Sequence, residues 1–302
     1  MNPVSRRTFV SGAALLGAPA FLRGRFQLFG QQSKTEYSSR AIQLMAETSV
    51  VDLLNQFRFA DYSQKPPKSE LFLQKPGSFT TSEAKVYQDS GIRAFALGHS
   101  ASSYEDGLRF FARWNGFLAA YSDLLLRIDD GRDFEHARSS NKIGIMLTLQ
   151  NSNHFRSPND VEEFFALGQR ISQLTYNFNN SIGSGFLEQR DGGLSIFGAS
   201  IMTRMEKVGM AVDLSHCADQ TTLDALDVAT KPVIFTHANC RALVDGHPRA
   251  KTDEAIRKMA KTGGVMGINF LRFLVRDKEP VTIGDVLDHF DYARKLVGVE
   301  YL

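Results

Sequence analysis

The chain reads as an α/β protein, a (β/α)8 barrel of the TIM type, and three features predict this. Short runs rich in Val, Ile, Leu and Phe recur along its 302 residues without polar alternation, as strands buried on both faces of a parallel sheet do. Amphipathic stretches with helical spacing separate these runs. Two of the runs, consecutive in the chain, end in a histidine, and functional side chains of barrels sit at the carboxyl ends of strands.

Taken in order, residues 1–33 stand apart. Ser5-Arg6-Arg7-Thr8-Phe9-Val10 precedes a modest apolar stretch to Leu22, Ala18-Pro19-Ala20 offers a small-residue cleavage site, and no Asp or Glu occurs before residue 34. This order of basic, apolar and small residues is a secretory pattern. The paired arginines resemble a twin-arginine export signal, which implies an exported, periplasmic protein. The rest, 34–302, is predicted to be one barrel domain.

The first strand is predicted over 49–54, followed by a long loop over 55–82 marked by Pro66-Pro67 and Pro76-Gly77. Further strands are predicted over 91–98, 143–150, 171–177, 210–216, 232–238 and 263–270. Between them, Leu108, Phe111, Trp114, Leu118, Tyr121 and Leu125 form one stripe of a helix over 104–126. Ser157 or Asn159 caps a helix over 161–169. Thr252 with Asp253 and Glu254 opens another that Gly263 ends, and Thr282 with Asp285 opens the last, which stops at Gly298. Val299-Glu300-Tyr301-Leu302 then reads as the start of an eighth strand, so the barrel is expected to be incomplete at its eighth strand. A doubly wound sheet is the weaker alternative, because no Gly-rich phosphate loop follows the first strand.

Composition narrows the function classes. With 43% hydrophobic and 23% charged residues the chain is neither disordered nor fibrous, and its 23 phenylalanines imply a well-filled interior. No run of eighteen apolar residues offers a membrane span. The formal charge of +2 belongs to the leader; without its four arginines the remainder is −2, so no nucleic-acid surface is expected. Two cysteines, Cys217 and Cys240, exclude a disulfide scaffold. They are open to three readings: a disulfide, metal ligands or buried thiols.

Among seven histidines, His216 and His237 end the consecutive strands 210–216 and 232–238. In a barrel this places two imidazoles side by side on the catalytic face, where they can bind a metal ion. Arg249 lies in a loop on the same face, and a guanidinium there can clamp a substrate carboxylate.

The order of motifs from Leu174-Thr175-Tyr176-Asn177, through Gly193-Leu194-Ser195-Ile196-Phe197-Gly198 and Val212-Asp213-Leu214-Ser215-His216-Cys217, resembles the membrane (renal) dipeptidase family of zinc metallopeptidases. Lys231 to Asn239, His247-Pro248-Arg249, Thr252-Asp253-Glu254 and Gly263 to Phe270 continue the match. The resemblance implies a (β/α)8 barrel that hydrolyses dipeptides with two zinc ions bridged by a glutamate. It implies that His216 and His237 stand at the second zinc and that Arg249 holds the substrate carboxylate. Tyr176 or Asn177 stands near a family histidine that steadies the reacting carbonyl.

Three positions depart from that pattern. The first-strand His-x-Asp pair is Leu54 and Gln56, and the bridging glutamate is Gln150. Leucine cannot bind a metal, and a neutral amide does not bridge two cations as a carboxylate does. The family's proton-handling aspartate would fall beyond Leu302. Gln150, Asp213, Cys240 and His154 are the candidates for a third ligand, and one zinc at most is expected. Two functions follow: an exported dipeptidase-type metallohydrolase with a reduced site, or an inactive barrel that binds a small peptide or carboxylate ligand through Arg249 and the loop 177–180.

The export reading has a direct check. N-terminal sequencing of the exported form is expected to begin shortly after Ala20, and retention of Met1 or Asn2 would contradict it.

Overall fold

The computed structural model describes residues 36–57 and 68–302, and before them only the backbone of three two-residue strands. Arg23–Gly24 pairs antiparallel with Tyr37–Ser38, and Gln27–Leu28 with Gln31–Gln32. The leader expected over 1–33 otherwise lies outside the described residues.

All seven predicted strands form. They are β1 (Val50–Asn55), β2 (Ile92–Leu97), then, after an additional β3 (Leu125–Arg127), β4 (Ile143–Leu149), β5 (Gln169–Gln173), β6 (Ala211–Asp213), β7 (Val233–Ala238) and β8 (Met266–Ile268). The hydrogen-bonded order is β8-β7-β6-β5-β4-β2-β1, every pair parallel, with β3 pairing along the first half of β4. A Cβ placed on Gly267 of β8 would stand 3.5 Å from Leu53 Cδ1 of β1. The two ends of the sheet are thus adjacent, and the sheet forms a nearly closed TIM-like barrel.

Helices connect the strands: α1 (Ser39–Glu47), α2 (Lys68–Gln74), α3 (Thr81–Asp89), α4 (Tyr104–Ala120), α5 (Gly131–Ser139), α6 (Asp160–Ala166), α7 (Ile196–Val208), α8 (Asp219–Val228), α9 (Asp253–Lys261), α10 (Arg272–Val275) and α11 (Ile283–Val297). The caps read from the chain do their work. Thr252 Oγ1 accepts from Ala255 N, and Thr282 with Asp285 forms a complete capping box. Gly209 ends α7 at φ +87°, a left-handed conformation that a side chain would strain. Among the described residues no helix is long and apolar enough to cross a membrane.

Four expectations are corrected. The helix predicted over 104–126 stops at Ala120, and Leu125–Arg127 leaves it to pair with Ile143–Ile145. The loop predicted over 55–82 contains α2, whose Phe72 is buried in the core. Asn159 precedes α6 without a side-chain cap; Ser157 bonds the Asp160 carboxylate at 3.3 Å. Val299–Tyr301 is a 3-10 turn after Gly298 (φ +111°), not a strand, because its Leu302 N–H closes back on Val299 O.

Strand periodicity divides the interior. On β2, Phe95 and Leu97 join the large core and Ala94 and Ala96 a small one. Within the large core Phe57 is fully buried. Its ring stacks on Tyr87 at 4.1 Å and meets Phe72, Phe79, Phe95, Trp114 and Phe117 at 5.7–6.5 Å. Phe57→Ala is expected to lower unfolding stability by about 3–5 kcal/mol in urea titrations, the usual cost of an aromatic-sized cavity.

Candidate functional site at the barrel mouth

The site is organised by a buried carboxylate at the end of β6. Asp213 Oδ1 accepts from Ser215 N at 2.9 Å, Ser215 Oγ at 2.5 Å and Thr236 N at 3.1 Å, and Oδ2 accepts from Thr236 Oγ1 at 2.6 Å. The bonds to Thr236 cross from β6 to β7. They fix the two segments that carry His216 and His237 against each other.

The imidazoles consequently meet, with His216 Nε2 and His237 Nε2 2.8 Å apart. His216 Nδ1 lies 2.9 Å from Asn177 Oδ1, an acceptor, so it carries the proton. Thr236 Oγ1 already donates to Asp213, so His237 Nδ1, 2.7 Å away, donates to Thr236. Both Nε2 atoms are therefore left as lone-pair acceptors directed at one another. Gln150 Nε2 donates to His237 Nε2 at 3.3 Å. Burial, reinforced by the nearby Arg249 and Lys251, pushes both imidazoles well below their ordinary range, so both are neutral at pH 7.

Tyr176 and Asn177 reach the same point. Tyr176 stacks on His216 with ring centroids 4.3 Å apart and is 38% exposed, so its ring forms part of the open wall. Arg249 is placed differently from a free carboxylate clamp. Only 2% exposed, it donates from Nη1 to Ser215 O and from Nη2 to His237 O at 2.8 Å. It thereby braces the two histidine-bearing segments from behind.

The departures lie about Gly98. A Cβ on Gly98 would stand 2.8 Å from Leu54 Cδ1 and 3.1 Å from Gln150 Oε1, so Leu54 and Gln150 both close on this glycine. Gln56 lines a neighbouring cavity with His99. The proposed third ligands are engaged elsewhere. Asp213 is saturated as above, and Cys240 Sγ faces His289 O at 3.7 Å. His154 bonds Gln169 Oε1 at 3.1 Å and packs on Phe155 and Phe164. Both cysteines are free and buried, which excludes the disulfide reading; burial raises the Cys217 thiol and pushes Cys240 up to about 12.

These residues do not fit the paired zinc site that the resemblance implies. Among the described residues no three of His, Cys, Asp and Glu converge on one point. Leu54, Gln56 and Gln150 leave two imidazoles where a catalytic zinc ordinarily needs three protein ligands.

Lys251 is the residue that sequence reasoning missed, because a lysine in a polar loop reads as solvated. It is 1% exposed and donates to Cys217 O at 2.8 Å and Thr222 Oγ1 at 3.1 Å. Asp213 was visible only as a candidate ligand; its spacing to Ser215 is that of a carboxylate bonding the backbone two residues on.

The site is thus a pair of imidazoles at the ends of adjacent strands of a parallel, TIM-like barrel. The chain belongs to the membrane dipeptidase family, peptidase family M19, whose model matches residues 40–302. The family is that of the membrane dipeptidases, and a metallopeptidase of family M19 shares the fold, with a TM-score of 0.70 at 16% identity. An uncharacterized dipeptidase of Schizosaccharomyces pombe is 33% identical over 174 residues, 55% of this chain and 41% of that protein. Dipeptidase verJ of Clonostachys rogersoniana is 33% identical over 171 residues, 56% of this chain and 43% of that protein. The chain spans about two fifths of the length of these curated relatives. A solved amidohydrolase from Pseudomonas aeruginosa superposes with a TM-score of 0.72 at 28% identity, covering 85% of this chain and 73% of its own.

Burial lowers the Lys251 ammonium to about 7, whereas an unfolded lysine titrates near 10.4. Between these values the unfolded chain binds the extra proton, so this residue makes stability rise with pH from about 7 to about 10. Lys251→Met is expected to remove that rise, read as the difference between the two proteins in urea midpoints across the same window.

Proposed function

We propose that the protein recognises a small peptide or a related amide at the barrel mouth, and does so without the paired-zinc hydrolysis of its family. Family membership supports the ligand class. The observation that carries the loss of paired-metal chemistry is the replacement of three ligand positions by Leu54, Gln56 and Gln150, with no cluster of three metal-binding side chains among the described residues. Tyr176, Asn177, His216 and His237 are the groups that would touch the ligand, offering a ring face, an amide and two imidazole acceptors. Arg249, behind them, contributes positive charge toward a ligand carboxylate, and its guanidinium would contact that carboxylate only by releasing the carbonyl of Ser215 or His237.

One observation favours a second reading, a hydrolase of small amides with a single zinc. The two Nε2 lone pairs face each other at 2.8 Å, and a shared cation would relieve their repulsion. The leader pattern supports action outside the cytoplasm, after twin-arginine export to the periplasm.

Metal analysis of the purified full chain, combined with dipeptide hydrolysis and calorimetric binding of the same dipeptides, separates the two. The binding reading expects zinc well below one equivalent, no turnover, and saturable binding that His216→Ala weakens by roughly tenfold, the equivalent of one lost polar contact. Stoichiometric zinc accompanied by turnover, both lost in His216→Ala, would establish the hydrolase instead.

A further inference from the structure

A cavity of about 320 Å³ opens at Gly98, the glycine on which Leu54 and Gln150 close, and neither imidazole of the mouth lines it. It lies between the ends of β1 and β2 and the helices α2 and α4, and nothing in the mouth reading uses it. Its volume is within the range of small-molecule sites, and it sits on the face where barrels bind ligands.

One wall is apolar. Phe110 and Trp114 project from α4, and the His99 ring lies flat on Phe110, with centroids 4.7 Å apart and planes within 2°. The remainder is charged, with both signs present. Glu70 is held by Arg113 at 2.9 Å and by Gln74 at 2.8 Å. Asp106 is held by Ser102 N at 2.9 Å and Ser102 Oγ at 3.1 Å. These bonds keep both carboxylates ionised: Arg113 lowers Glu70, and the Ser102 amide lowers Asp106. Arg109 follows Asp106 by three residues and precedes Arg113 by four, so the three share one face of α4. Arg109 is exposed and makes no ion pair among the described residues. His99 Nε2 is buried and has no hydrogen-bond partner among the described residues.

A simple anion entering this cavity meets two fixed carboxylates, and a simple cation meets two guanidiniums. A molecule carrying both charges satisfies each, and its apolar part finds the Phe110–Trp114 wall. We infer that this cavity is a second binding site, for a zwitterionic amino acid with an aromatic or other large apolar side chain. The carboxylate pairs with Arg109, the ammonium lies toward Glu70 and Asp106, and the side chain packs on Phe110 and Trp114. His99 Nε2 gains its missing partner from the polar end of the ligand.

Trp114 is the one tryptophan in the chain, so intrinsic fluorescence reports on this cavity directly. The full chain is titrated with L-phenylalanine, with phenethylamine, which lacks the carboxylate, and with hydrocinnamate, which lacks the ammonium. Excitation is confined to the indole band. Phenylalanine is expected to change Trp114 emission saturably, and each half-molecule to bind at least roughly tenfold more weakly. Arg109→Ala is expected to weaken phenylalanine by roughly tenfold and leave phenethylamine unchanged. Because Arg109 is exposed, this variant keeps the fold; should it fail to fold, the comparison of the three probes on the unaltered protein decides. No saturable change, or hydrocinnamate binding as tightly as phenylalanine, overturns the inference. His216→Ala is expected to leave the titration unchanged, and its abolition there would assign the signal to the mouth and overturn the second site. A mouth that binds no peptide leaves this titration untouched, so the two readings fail separately.

Discussion

The geometry of the mouth depends on the Asp213 carboxylate. A buried charge is tolerated when its lone pairs are filled, and Asp213 accepts four hydrogen bonds from Ser215 and Thr236. Those bonds tie the end of β6 to β7, bring the two imidazoles together, and leave Thr236 Oγ1 as the acceptor that sets the His237 tautomer. Arg249 completes the bracing by donating to the carbonyls of Ser215 and His237. Tyr176 and Asn177 then arrive on a platform already fixed, so the ligand-facing side chains need little ordering of their own.

The same bracing alters the electrostatics of the site. The buried Arg249 guanidinium and Lys251, whose ammonium burial lowers to about 7, share this frame with the single Asp213 carboxylate. A paired-metal site needs carboxylates to offset several positive charges. Here the positions that the resemblance assigns to such ligands are amide or aliphatic, Leu54, Gln56 and Gln150. They supply no carboxylate to offset a pair of divalent ions.

The fold was legible because its signals are local or periodic. Continuous apolar runs marked all seven strands, and Thr252, Thr282 with Asp285, and Gly298 marked helix ends through capping chemistry. The errors fell where tertiary pairing overrode a local pattern. Leu125 lies on the stripe of α4, yet Leu125–Arg127 gains more from the edge of β4 than from another helical turn. At the site, the juxtaposition of His216 and His237 was readable from their strand-end positions. The roles of Arg249 and Lys251 were not, because whether a loop cation is solvated or buried against carbonyls depends on residues distant in the chain, such as Ser215 and Cys217.

The barrel is held by contacts remote from the positions where the resemblance implies metal ligands. Its stability comes from parallel pairing and from the aromatic cluster around Phe57, whose neighbours lie on β2, α2, α3 and α4. Leu54 and Gln150, where the resemblance implies a histidine and a glutamate, lie beside Gly98, where the absence of a side chain leaves room for both. An aliphatic and an amide side chain pack there without the desolvation cost that a metal-free carboxylate would carry. The β6–β7 half keeps its imidazoles because they are bonded into the frame that Asp213 holds.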